Sequence, residues 1–69
     1  MENSILIKQE EDNDFEIHMV SEEGSVMVYK CRGYDSTIET AKLFRRDKHP
    51  EVPIYKQVLG DETPIKIIG

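Results

Sequence analysis

The sequence predicts a small α+β domain with about five strands in the order β-ββ-α-ββ, forming a mainly antiparallel sheet with one helix packed on one face. Two observations support this prediction. Residues 15–32 alternate apolar and polar side chains on both sides of a turn, which is typical of a β-hairpin. Residues 36–48 then space their apolar side chains as a helix does. At 69 residues, the chain is predicted to form one domain over residues 1–69.

The first predicted strand begins with the apolar run Ile5-Leu6-Ile7. It ends in the acidic segment 10–14, which we interpret as a loop because aspartate and asparagine are poor strand formers and favour turns. This segment does not match a calcium-binding loop, since it lacks the central glycine and the distal glutamate that such a loop requires.

The hairpin is predicted in a specific register. Gly24 suits the left-handed position of a type I turn with a bulge, which pairs Ser21 with Ser25. This register gives one apolar face and one mixed face, whereas a slip of one residue would place Glu16 and His18 in the core. The predicted pairs are Phe15 with Cys31, Ile17 with Tyr29 and Met19 with Met27 on the apolar face, and Glu16 with Lys30, His18 with Val28 and Val20 with Val26 on the mixed face.

The helix is predicted to begin at a capping box formed by Ser36 and Glu39, with Asp35 as the competing N-cap residue. Pro50 ends the helix. Leu43 lies off the stripe that faces the sheet, so it is either partly exposed or a contact for a partner. The stripe consists of Thr37, Ile38, Ala41 and Phe44.

Two strands are predicted after the helix, at residues 52–59 and 65–68, with a turn at 60–62 between them. The apolar face of the hairpin and the stripe of the helix together define the predicted core. Its main residues are Phe15, Ile17, Met19, Met27, Tyr29, Ile38, Ala41 and Phe44.

Bulk properties narrow the range of functions. Cys31 is the only cysteine, so the chain can form neither an internal disulfide nor a multi-cysteine zinc site. A core of this size stabilises a fold by only a few kcal/mol, which makes a homodimer the remaining source of added stability. No secretory signal is evident and no apolar run reaches the ~18 residues of a membrane span. We therefore expect a cytoplasmic protein with no membrane partner.

No residue pattern points to catalysis, and we predict no catalytic residues, no metal ligands and no cofactor. Cys31 is expected to be an inert thiol on the apolar hairpin face, and His18 a surface residue of a strand. His18 and His49 lie far apart without a metal-ligand spacing, and the four glycines are isolated rather than grouped in a phosphate loop. The chain is thus predicted to be a binding protein rather than an enzyme.

The charge is distributed unevenly along the chain. The net charge is −5, yet residues 1–24 have eight acidic residues against Lys8 alone, and residues 25–58 have a balance of +3. We predict that the acidic residues lie close together, with up to eight carboxylates in one region. They would bind a basic surface on a larger protein that the chain inhibits or modulates; a plain solubility role is the alternative. The predicted partner-binding residues are Glu10, Glu11, Asp12, Asp14, Glu16, Glu22 and Glu23.

The alternative function is nucleic-acid binding through the basic end of the helix. Clustered cations there could contact phosphates, although cations in the last turns also suit the helix dipole. Phe44 is expected to point into the core, and the acidic remainder of the protein repels nucleic acid, so protein binding is the favoured interpretation. The alternative phosphate-binding residues are Lys42, Arg45, Arg46 and Lys48.

In element order and chemistry, residues 15–59 resemble the small phage-encoded inhibitors of uracil-DNA glycosylase. Those inhibitors also run strand, acidic turn with glycine, strand, helix, strand. The resemblance implies a viral protein that takes over a host enzyme as a DNA mimic, often as a dimer. No residue roles follow from it, since the likeness lies in the pattern alone.

Overall fold

Six elements make up residues 3–68, the part of the chain that the structure, a computed structural model, describes. They are β1 (Ser4–Glu11), β2 (Asp14–Ser21), β3 (Gly24–Arg32), α1 (Tyr34–Lys48), β4 (Ile54–Gln57) and β5 (Ile65–Ile68). The predicted class and element order are confirmed: one helix packs on a five-stranded sheet.

The strands lie in the order β3-β2-β1-β4-β5. β1, β2 and β3 form an antiparallel meander, and β5 pairs antiparallel with β4. β4, by contrast, runs parallel to β1, with Ile5 opposite Ile54 and Lys8 opposite Gln57. The sheet is therefore mixed, because α1 carries the chain back along the sheet before β4 begins. This topology brings the C-terminal ends of β1 and β4 to the same end of the sheet.

The core lies between α1 and one face of the sheet, called here the helix side; the other face is the open face. Side chains alternate along a strand, so Ile5 and Ile7 face the helix side while Leu6 faces away. α1 packs mainly over β1, β2 and β3. The buried apolar residues are Ile5, Ile7, Phe15, Ile17, Ala41 and Ile54, with Met19, Val28, Cys31, Ile38, Phe44, Val52 and Ile68 partly buried around them.

The predicted core is wrong at two residues, which the structure leaves about half exposed. Met27 and Tyr29 are 49% and 45% exposed. Met27 pairs with His18 and so belongs to the open face. Tyr29 faces the helix side, but it lies on the outermost strand, where its ring packs at the edge of α1, 5.7 Å from the Phe44 ring.

The tip of the hairpin accounts for the position of Met27. Ser21 pairs with Gly24 around a two-residue turn, so the pairs near the tip are shifted by one residue from the predicted ones. A bulge at Val28 then absorbs the extra residue. The register beyond the bulge matches the prediction, with Ile17 opposite Tyr29 and the two pairs toward the end of β3 also as expected.

The helix begins two residues before the predicted capping box. Gly33 precedes the first turn with a φ of +91°, a conformation that favours glycine, and no side chain caps the helix. The Gly33 N–H donates to the Asn13 carbonyl at 2.8 Å, which joins the start of α1 to the β1–β2 turn. The Thr37 hydroxyl donates to the Gly33 carbonyl at 2.6 Å. Ser36 therefore lies inside the helix rather than at its cap.

Two further boundaries differ from the prediction. The acidic segment 10–14 is mostly strand, because β1 continues to Glu11 and β2 begins at Asp14. Only Asp12 and Asn13 form the turn between them. β4 covers four residues of the predicted 52–59. Its shortness agrees with Pro53 just before it, which cannot donate a ladder hydrogen bond.

Candidate functional site

Six carboxylates gather at one end of the sheet, which we call the acidic end. Four come from the β1–β2 hairpin and two from the connection that follows β4. They meet because β1 and β4 are parallel neighbours, so both chains leave the sheet at the same end. The acidic end consists of Glu10, Glu11, Asp12, Asp14, Asp61 and Glu62.

Gln9 ties the two loops of the acidic end together. Its Oε1 accepts from the Leu59 N–H at 2.9 Å, and its Nε2 donates to the Asp12 carbonyl at 3.2 Å. Gln57 holds the second loop to its own strand, since its Nε2 donates to the Asp61 carbonyl at 3.0 Å. These bonds hold the acidic loops to strands rather than leaving them as free tails.

The cations nearby balance only part of this charge. Lys8 lies 3.9 Å from Glu10, and Arg32 lies 3.3 Å from Asp14. Within residues 3–68, Glu11, Asp12 and Glu62 are not in an ion pair, and all three are exposed. The acidic end therefore keeps a strong negative potential toward solvent.

Leu59 adds an apolar element to the acidic end. Its side chain is 53% exposed, and it lines a concavity together with residues 11–14 and Arg32. Leu59 also borders the neighbouring concavity, where Asp61 and Glu62 lie. An exposed leucine thus stands between the two acidic loops.

The remaining predicted partner-binding residues do not join the acidic end. Glu22 and Glu23 form the β2–β3 turn at the other end of β2, roughly 23 Å away for a strand of this length. Glu16 lies on the open face, between Lys8 and Lys30 on the adjacent strands. The expectation that all the N-terminal carboxylates lie in one region is therefore wrong.

Sequence reasoning missed Asp61 and Glu62. The sequence predicts their turn, but no sequence pattern links it to the N-terminal acidic segment. The only signal was the order of elements, since a helix between two strands favours a parallel return. The four residues of β4 do not themselves indicate which strand β4 pairs with.

Glu16 and His18 form a hydrogen-bonded pair on the open face. His18 Nε2 and Glu16 Oε1 are 2.9 Å apart, and both side chains are mostly covered. The hydrogen bond from His18 lowers the pKa of Glu16 from its ordinary value, burial opposes this effect, and the charges of His18 and Lys30 add to it. The pair explains the position of Glu16 without a partner protein.

The pKa of Glu16 leads to a prediction about pH. Because the folded-state pKa lies below the unfolded value, ionised Glu16 stabilises the fold above that unfolded value, and this contribution is lost as the pH falls through the lowered pKa. Glu16→Gln should therefore destabilise the protein at neutral pH, and this effect should begin to fall as the pH drops below the ordinary glutamate pKa of about 4.3 and vanish below the lowered pKa. Urea unfolding of both proteins across this range checks it. A difference in unfolding free energy that stays constant with pH would contradict the prediction.

The basic helix end is partly used by the fold. Arg45 Nε donates to the Val52 carbonyl at 2.6 Å, and Arg46 pairs with Asp47 at 3.2 Å. Phe44 is partly buried and packs against the His49 ring at 5.3 Å. Lys48 and Lys42 are exposed, but Lys42 lies along the groove between α1 and β5. The four cations therefore do not form one exposed phosphate-binding surface.

Three further features of residues 3–68 bear on function. No group of three or more histidine, cysteine or acidic side chains there is placed to hold a metal ion. Cys31 is partly buried and packs against the core. No helix in this part of the chain is both long enough and apolar enough to cross a membrane.

Comparison with known proteins places the chain in no family: no family model, no curated protein and no solved structure matches it. The likeness to the glycosylase inhibitors thus remains one of element order and composition.

Proposed function

We propose that this protein is a non-enzymatic binding module, and that its acidic end docks on a basic surface of a larger cytoplasmic protein, which it inhibits or modulates. The observation that carries this proposal is the meeting of two acidic loops around the exposed side chain of Leu59. Carboxylates steer a basic partner into encounter, and an apolar residue within them provides contact area once water is displaced.

Solubility alone accounts less well for this arrangement. A solubility role requires only that charges be spread over the surface. Here Glu11, Asp12 and Glu62 are brought toward one end by bonds from Gln9 and the parallel strand pair, at a cost in mutual repulsion. A basic partner would relieve that repulsion.

A DNA mimic is the specific form of this proposal that the acidic end suits best. Carboxylates on two neighbouring loops can take the place of backbone phosphates in the cleft of a nucleic-acid-binding protein. A partner of that kind would be displaced from the acidic end by duplex DNA. A basic partner that does not bind DNA would not be.

Charge reversal at the acidic end tests the proposal. Partners are first captured from a lysate with the wild-type chain and identified by mass spectrometry. Glu11→Lys combined with Asp12→Lys should then lower the association rate with the captured partner about tenfold at low salt, and less at physiological salt. The matched control is Glu39→Lys combined with Glu51→Lys, which changes the net charge equally at exposed positions elsewhere.

Two results would contradict the proposal. Equal association rates for the wild type and the acidic-end variant would reduce the acidic end to a solubility feature. Salt-sensitive retention of DNA or RNA in a gel-shift assay, abolished by Arg46→Glu with Lys48→Glu, would favour the nucleic-acid alternative. The bond from Arg45 to the Val52 carbonyl argues against that outcome.

A further inference from the structure

The outer edge of β3 pairs with no other strand in the described part of the chain. β3 is the longest strand, with nine residues, and it pairs only with β2, so its other side faces solvent within the described chain. A long edge strand with exposed apolar side chains favours pairing with another strand. The opposite edge, β5, has only four residues.

Exposed apolar side chains concentrate along this edge. On the helix side, Val26 is 66% exposed, Tyr29 is 45% exposed, and Leu43 of α1 is 48% exposed beside Tyr29. Met27, which is 49% exposed, lies on the open face of the same strand. Tyr29, Leu43 and Phe44 line one small groove between β3 and α1. The edge of β3 and the adjoining flank of α1 therefore form one apolar strip, which we call the β3 edge.

We propose that the β3 edge is covered by the β3 edge of a second copy of this chain, paired antiparallel about a twofold axis. The bulge at Val28 selects the register. Because the bulge switches the side-chain alternation, Val26 and Tyr29 both lie on the helix side, and Ser25 and Lys30 both lie on the open face. Pairing Val26 with the partner's Tyr29 keeps like faces together on both sides of the twofold axis. Only the pair at the axis, Met27 with the partner's Val28, joins the open face to the helix side.

Charge complementarity identifies the second copy as the occupant. β3 starts beside the acidic turn and ends at Arg32, so an antiparallel pair places the acidic start of one strand against the basic end of the other. In this register Glu23 lies opposite the partner's Arg32, and the twofold axis makes this pair twice. The Arg32 side chain is 80% exposed although it contacts Asp14, so it can also reach a partner carboxylate.

The dimer would also bury Leu43. Leu43 lies next to Tyr29, on the side of α1 that faces β3. In the dimer, this side of α1 in one copy would approach the same side in the other copy across the twofold axis. The monomer buries only a small apolar core, so covering this strip would add stability that the single chain lacks.

The oligomeric state of the full chain tests this inference. Sedimentation equilibrium from about 1 µM to about 1 mM should show a species of twice the monomer mass. Val26→Asp should raise the dimer dissociation constant about tenfold or more, because the dimer interface would then bury two carboxylates, one from each copy, without partners. Ile65→Asp is the matched control, since Ile65 is 57% exposed on the opposite edge strand. A monomer throughout the range, or a dimer lost with Ile65→Asp and not with Val26→Asp, would overturn the proposal.

A charge exchange tests the register independently of folding. Glu23→Arg or Arg32→Glu alone should weaken the dimer roughly threefold or more, since each places like charges opposite one another twice. The two changes in one chain restore opposite charges and should recover most of the lost affinity. Additive weakening in the double variant would overturn the antiparallel β3 register.

Discussion

Phe15→Ala is expected to leave the protein largely unfolded at room temperature. The Phe15 ring is 5% exposed and lies between β2 and the start of α1, with the Tyr34 ring 5.8 Å away. Replacing a buried phenylalanine by alanine costs about 3–5 kcal/mol, through lost apolar burial and the cavity left behind. A domain of this size has about that much stability in total.

Far-ultraviolet circular dichroism and a urea titration check this prediction. The variant should lack the cooperative transition of the wild type, or show it at a much lower urea concentration. Ile65→Ala is the matched control, because that side chain is 57% exposed on β5, outside both the core and the β3 edge, and its loss should leave the midpoint almost unchanged. An unchanged unfolding curve for Phe15→Ala would show that this face of β2 does not form the core.

Phe15 belongs to the part of the hairpin that could be predicted from sequence. Near Phe15 and Ile17 the alternation is strict, so only one register buries the apolar side chains. Toward the tip, both faces carry apolar residues, and the pattern no longer distinguishes the two registers. A three-residue turn and a two-residue turn with a later bulge then both place apolar side chains on the helix side, and the structure has the second.

The start of the helix illustrates a second limit. Ser36 and Glu39 form a good local capping pattern, but the helix begins earlier because Gly33 bonds to Asn13, twenty residues before it in the chain. The acidic end depends on an equally distant contact, the parallel pairing of β1 with β4. Local sequence patterns describe short-range preferences, whereas both features are decided by contacts between segments far apart in the chain.

Ile7→Ala and Met27→Ala are expected to have very different effects, although Met27 was predicted to lie in the core and β1 contributed nothing to that prediction. Ile7 is fully buried at the centre of the sheet, between Ile17 of β2 and Lys56 of β4. Its loss should lower the free energy of unfolding by about 2–5 kcal/mol. Met27 is half exposed on the open face, so in dilute solution, where the chain is monomeric, its truncation should cost less than about 1 kcal/mol.

Urea titrations of both variants at one fixed chain concentration check this contrast. The Ile7 variant should unfold at a markedly lower midpoint with a similar slope, since the same surface is exposed on unfolding. The Met27 variant should follow the wild type closely. If Met27→Ala were the more damaging change, then the hairpin tip would have the register predicted from sequence, with Met27 on the helix side. Met27 would then pack under α1 opposite Met19, and the bulge at Val28 would be absent in solution.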